Sequence, residues 1–196
     1  MNIYSVLKES GWDDGRKIEI APFEEIFRNR KFLFFDYHKT IFESFGGLNI
    51  LASKMDIDGQ IRIDFRLKSY MSAEFTFLEN FKTNIVSFMD SISGHNNSPL
   101  CLLNYEWTDD EVYGSDEIYI NADGIVSSFS NIGVFKFGKF DEFIFKILNQ
   151  LDPETILSED ELDAIFPNTG EESEASGMTE EELRKAILES DPHRFR

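Results

Sequence analysis

Apolar positions in the first 151 residues alternate between two spacings. Steps of three and four put Ile3, Val6 and Leu7 on one short helical face, and Phe23, Ile26 and Phe27 on another behind Pro22 in a first turn. "DYHKTIFESFGGL" reads as a helix capped by Asp36, with Tyr37, Ile41 and Phe45 on one side and a stop at Gly46-Gly47. The period then changes to two. "QIRIDFRL" sends Ile61, Ile63, Phe65 and Leu67 one way and Gln60, Arg62, Asp64 and Arg66 the other, as a half-buried strand does. A helix from about Glu74 to Ser91 follows, with Leu78, Phe81, Ile85 and Phe88 inward. "LCLLNYE", "EIYIN" and "GIVSSF" are further strand candidates, the last two joined as a hairpin across Asn121, Ala122, Asp123 and Gly124. Phe140, Phe143, Ile144, Ile147, Leu148 and Leu151 fit an amphipathic helix at every step. Helices grouped around an antiparallel meander predict an α+β fold.

Phenylalanine marks a boundary, because 18 of the 20 lie before residue 152. The core is expected to end near Leu151, giving a domain over 1–151 and an acidic, partly helical or disordered tail over 152–196. "NTGEESEASGM" has the composition of a linker, flanked by two capping boxes, Ser158 with Glu161 and Thr179 with Glu182. Leu183 and Ile187 give the second a thin apolar stripe. The tail also changes the charge picture. It holds 14 acidic and 4 basic residues, a net of −10 out of −18 for the chain. Such a surface repels nucleic-acid phosphate and anionic lipid and attracts a basic protein, besides keeping the chain soluble. One cysteine, Cys101, precludes an internal disulfide framework. No segment reaches the roughly 18 apolar residues of a membrane span, and the N-terminus lacks a secretory leader, which predicts a soluble cytoplasmic protein.

The stretch "LKESGWDDGRKIEI", Leu7 to Ile20, poses the sharpest question, since a tryptophan beside an arginine suits either a stacking site or a fold device. With Gly11 left-handed beyond the first helix, Trp12 falls where a residue packs back on the helix, here on Leu7. Asp13, Asp14 and Gly15 then turn the chain into a strand at Lys17 to Ile20. Arg16 stacks on the indole or bonds helix carbonyls. This motif, followed by "IFESFGGLNI", resembles the SUKH superfamily, specifically its third class of bacterial immunity domains. Gly11, Trp12, Arg16, Phe45, Gly46, Gly47 and Leu48 match the family pattern of helix, Gly-Trp, Arg and a helix ending in Phe-Gly-Gly-Leu. "IYINADGIVSSF", with Gly124, resembles the family's later hairpin. The match spans roughly residues 5 to 150; Asn104 stands where the family has a glycine, and the segment from Asp152 has no counterpart. The resemblance implies a SUKH-like sheet flanked by helices and a protein that binds and neutralises a cognate toxin, mainly a nuclease, in the producing cell.

Enzyme chemistry finds little foothold. His38, His95 and His193 are dispersed, and no His-x₃-His, Cys-x₂-Cys, glycine-rich phosphate loop or Gly-x-Ser-x-Gly elbow occurs, so neither metal nor cofactor is expected. Cys101 lies in an apolar strand pattern and reads as a buried small residue. The carboxylates Asp109, Asp110, Glu111, Asp116 and Glu117 lack the glycine and terminal glutamate of a calcium loop. With Trp107, Tyr113 and the neighbouring Tyr105 they are the expected toxin-binding face, a loop between two strands. The expected function is therefore immunity protein rather than enzyme, with a basic nuclease toxin as partner. An adaptor with several partners and a carboxylate-based hydrolase are the alternatives.

Overall fold

The computed structural model describes residues 3–55, 59–67, 78, 81–107 and 111–166. Three helices open the chain, α1 (Ile3–Glu9), α2 (Ala21–Arg30) and α3 (Asp36–Phe45), followed by strands β1 (Asn49–Met55) and β2 (Gly59–Asp64). Helix α4 (Thr83–Ser93) leads into four consecutive strands, β3 (Asn97–Trp107), β4 (Glu111–Asn121), β5 (Ile125–Ser130) and β6 (Gly133–Lys139). Helix α5 (Phe140–Leu148), strand β7 (Glu154–Ser158) and helix α6 (Glu159–Ile165) complete the described chain. The strands form one antiparallel sheet in sequential order from β1 to β7, and the fold is α+β as expected.

Register assigns the two faces. Ile63 pairs with Leu103 and Leu103 with Asp116, so these three share a face with Ile118, Ser128 and Phe135. Helix α5 lies over it, with Phe143 edge-on to Phe137 at 5.1 Å and Phe140 against Phe65. On the opposite face Phe88 of α4 meets Phe129 and Phe166, and Phe81 meets Tyr119. The apolar side chains of both layers are fully buried at Phe88, Phe143, Ile63 and Ile118, which is the main source of stability.

The opening motif is a joint between three helices. Gly11 has φ +88°, and the Trp12 N–H donates to Leu7 O at 3.0 Å, closing α1 with a Schellman-type bond. The indole then reaches past α1: it stacks on Phe45 at 6.0 Å and its Nε1 donates to Ser44 Oγ at 2.9 Å. Phe45 in turn meets Phe140 of α5 and Phe65. Of the two roles expected for Arg16, carbonyl bonding is the one adopted, and on α3. Nη1 donates to Ser44 O at 2.6 Å and Nη2 to Gly46 O at 2.7 Å, satisfying acceptors that every helix C-terminus leaves open. Gly46 has no room for a side chain, since a Cβ there would lie 2.6 Å from Phe42 O and 2.8 Å from Phe23. Leu48 is buried beside Gly11, so all seven residues of the first motif converge here. Gly124, the eighth, has φ +74° in the β4–β5 turn, where Asn121 Oδ1 accepts from the Asp123 and Ile125 N–H groups and a Cβ would strike the Tyr37 ring at 2.6 Å.

Several expectations are corrected. The core does not end near Leu151, because β7 pairs with β6 and Leu157, Leu162 and Ile165 are buried. Ser158 and Glu161 do form the expected capping box, at the start of α6 inside the fold. There Glu159, Asp160 and Glu161 fill a helix first turn, where negative charge is favourable. Lys17 to Ile20 pair with no strand; Ile18 N–H bonds Glu43 O alone. Asp36 is the first residue of α3 rather than its cap, and the inward face is His38, Ile41 and Phe42, with Tyr37 outward. The helix expected from Glu74 begins at Thr83; residues 68–77, 79 and 80 lie outside the described residues. Leu151 falls beyond α5 and is 48% exposed. The polar side of β2 is only partly solvated: Arg62 and Gln60 donate to Glu106, which is 1% exposed, and Arg66 just beyond the strand forks Asp64 at 2.8 and 2.6 Å. Thr179, Glu182, Leu183 and Ile187 lie outside the described residues.

A chain ending at Leu151 should therefore be severely destabilised. Burial of an apolar side chain contributes about 1.5–3 kcal/mol, and Leu157, Leu162 and Ile165 are lost together with the pairing that covers β6. Urea unfolding should show a loss of at least about 4 kcal/mol or no cooperative transition; a loss under about 1 kcal/mol would restore the boundary at Leu151.

Candidate binding surface

Part of the acidic segment expected as a loop lies in two paired strands. Trp107 is the last residue of β3, Glu111 the first of β4, and Tyr113 lies within β4, while Asp109 and Asp110 lie outside the described residues. Asp116 and Glu117 belong to the strand and not to a loop, and consecutive strand residues face opposite ways, so they lie on different sides of the sheet.

Glu117 shares its side with Tyr119, whose hydroxyl donates to it in a short hydrogen bond. Burial pushes the Glu117 carboxyl up to about 7, against the opposing pull of the Tyr119 bond and Lys82. Asp116 faces the α5 side and is 8% exposed. Tyr105 Oη donates to its Oδ2 at 2.6 Å. Burial raises the Asp116 carboxyl above its ordinary range despite hydrogen bonds from Tyr105 and Ser130, and burial together with Asp116 raises the Tyr105 hydroxyl, which stays a proton donor.

Two cavities flank α5. The first, about 660 Å³, runs between α1 and α5 and is walled by Leu7, Trp12, Phe45, Phe140 and Ile144. Tyr4 and Phe145 stand on its rim, 58% and 49% exposed, with Asp141 and Glu142 beside them. The second, about 400 Å³, opens between the end of α5 and the sheet, with Tyr105, Asp116 and Ser128 below and Phe135, Phe137 and Ile147 at the sides. Lys146 and Leu151 border both. Leu151 is put there by the end of α5. Gln150 adopts φ 54° and the Leu151 N–H donates to Lys146 O at 2.9 Å, the same closure that seats Trp12 after α1. Exposed aromatic and aliphatic groups gathered around grooves with an acidic rim are the composition of a protein-binding surface.

Sequence reasoning named Asp116 and Tyr105 but missed Tyr4, Ile132, Phe145 and Leu151 as surface groups. Phe145 carried a signal, since it is the one phenylalanine of its helix outside the expected inward stripe. Ile132, 53% exposed, is an apolar residue at a hairpin tip.

No family model, curated protein or solved structure matches the chain. Among the described residues no group of three or more His, Cys, Asp or Glu is placed to hold a metal ion, and no helix is long and apolar enough to cross a membrane. Cys101 is fully buried, and burial raises its thiol well above the ordinary value, which keeps it protonated. His38 is fully buried and serves the fold: Nδ1 accepts from Phe35 N–H at 2.9 Å, so Nε2 carries the proton and donates to Pro99 O at 2.9 Å.

That arrangement fixes a pH dependence. Burial lowers His38 from 6.5 to about 4, outweighing the Pro99 bond. The unfolded chain takes up the proton near 6.5 and the folded chain only near 4, so this contribution is complete above 6.5 and declines as pH falls to 4. The decline totals about 3 kcal/mol. In His38→Gln the stability deficit relative to wild type should shrink by about that amount between pH 7 and pH 4 in urea titrations. A deficit independent of pH would show that His38 takes up its proton as readily in the fold as in the unfolded chain.

Proposed function

We propose that the chain is a SUKH-type immunity protein that neutralises a basic toxin domain, a nuclease by preference, by covering its active cleft. The reading is carried by the surface around α5, where Tyr4, Phe145 and Leu151 stand exposed over two grooves beside Asp141, Glu142 and Asp152. Net charge of −18 speeds the approach of a basic partner, and the aromatic groups supply short-range affinity once water is excluded. A nuclease must present a basic cleft to its own substrate, so an acidic inhibitor competes for the same surface. The convergence of the Gly-Trp, Arg and Phe-Gly-Gly-Leu residues in one joint supports the resemblance on which the family assignment rests. Asp116 and Glu117 face opposite sides of the sheet, so these two carboxylates do not form the pair a hydrolase would use.

The test is protection. If a large secreted protein is encoded beside this chain, its C-terminal domain should be toxic when expressed alone and harmless when the chain is co-expressed. Tyr4→Glu with Phe145→Glu should abolish protection while moving the melting midpoint by no more than a few degrees, since both side chains are about half exposed. Full protection by that double variant would remove the α1–α5 groove from the interface, and toxicity unrelieved by the wild-type chain would remove the immunity reading.

A further inference from the structure

The cavity beneath the end of α5 has a more specific chemistry than an apolar groove. Leu103, Phe135, Phe137 and Ile147 enclose it, yet Asp116 lies at its floor, almost buried. A carboxylate removed from water is costly unless a cation or several donors replace the lost hydration. Here the donors are the neutral hydroxyls of Tyr105 and Ser130, and among the described residues no Lys, Arg or His forms an ion pair with Asp116. Lys146 and Asp152 both border the opening, so its rim carries one charge of each sign. The site thus combines a wall that accepts methylene groups and flat cations with a floor that lacks a positive counterpart. Its volume of about 400 Å³ admits a long side chain with part of its flanking backbone.

Building on the binding role above, we propose that this cavity is the socket for an arginine or lysine side chain inserted by the basic partner, its stem against Phe135 and Ile147 and its cationic head on Asp116. Arginine suits it better. The guanidinium is planar, weakly hydrated and able to stack on an aromatic face while bonding a carboxylate. Tyr105, holding Oδ2, orients the carboxylate for the incoming group.

The socket is testable on the whole chain without the partner. Titrate the ¹⁵N-labelled protein at neutral pH and low salt with n-butylguanidinium, and in parallel with the uncharged isostere n-butylurea. Saturable amide shifts are expected in the millimolar range at Tyr105, Asp116, Ser128 and Ile147, with n-butylurea at least tenfold weaker. Asp116→Asn should weaken n-butylguanidinium tenfold or more while leaving n-butylurea unchanged. Should that substitution disturb β4, Ile147→Trp provides the second check, because it fills the cavity from a partly exposed helix position and should abolish binding with Asp116 intact. Equal binding of the two probes, shifts confined to other parts of the surface, or undiminished binding by both variants would overturn the assignment. These readouts involve the chain alone, so a socket that binds cations while the chain fails to protect cells would separate this inference from the immunity reading.

Discussion

The guanidinium of Arg16 ties the segment after α1 to the end of α3, where the chain turns into the sheet. Its two N–H donors end on Ser44 O and Gly46 O, the carbonyls at which α3 stops and the chain turns toward β1. Gly46 must lack a side chain for Phe42, Phe23 and Ile18 to close around that turn, and the next residue, Gly47, bonds Phe65 O just beyond β2. Trp12 joins from the other side, bonding Ser44 and stacking on Phe45, which carries the contact on to Phe140 of α5. One charged fork, one indole and one side-chain-free turn therefore set the angle between α1, α3, α5 and the first hairpin of the sheet. Charge-assisted bonds of this kind contribute about 1.5–3 kcal/mol each, enough to make the joint a large share of a small domain's net stability.

The candidate surface is a consequence of that joint. Phe45 of α3 stacks on Trp12, which follows α1, and meets Phe140 of α5, and the groove between α1 and α5 is rimmed by Tyr4 and Phe145. Both helices end with a left-handed residue and a bond back to the preceding turn, and each closure delivers an apolar side chain, Trp12 or Leu151, to the groove's edge. Glycine accepts that conformation cheaply at position 11, whereas Gln150 takes it at a cost of about 1 kcal/mol. The opposite side of the sheet is organised differently. There Glu106, Arg62 and Gln60 neutralise one another, and Glu117 is bonded by Tyr119.

What could be read from the sequence follows from how local each determinant is. The Gly11-Trp12 closure, the Asn121 to Gly124 turn, the Ser158–Glu161 box and the Phe143, Ile144 and Leu148 face are fixed within a few residues, and each stands where its pattern places it. Strands β1, β6 and β7 went unseen because "NILASKM", "GVFKFGK" and "ETILS" alternate weakly and are held by their neighbours. The last of these also hid the true extent of the core, since a phenylalanine count is blind to Leu157, Leu162 and Ile165. The extent of the β3–β4 loop was misjudged for a related reason. Acidic density in "EWTDDEVYGSDE" suggested a loop, but β3 and β4 are eleven residues each and draw Asp116 and Glu117 into the ladder, one to each side. His38 gave no local sign of its role because both its partners, Phe35 N–H and Pro99 O, depend on the tertiary arrangement.

Arg16 acts as the keystone through the geometry of its fork and not through charge alone. Lysine keeps the positive charge but presents one rotating ammonium in place of a planar fork, and so reaches only one of the two carbonyls. The direct measurement is the urea unfolding free energy of Arg16→Lys against wild type at pH 7. A loss of about 2 kcal/mol with an unchanged denaturant slope is predicted. A variant as stable as wild type would contradict it, and would mean that α3, the first hairpin and the α1–α5 groove are held in place by packing around Trp12 and Phe45 without the fork.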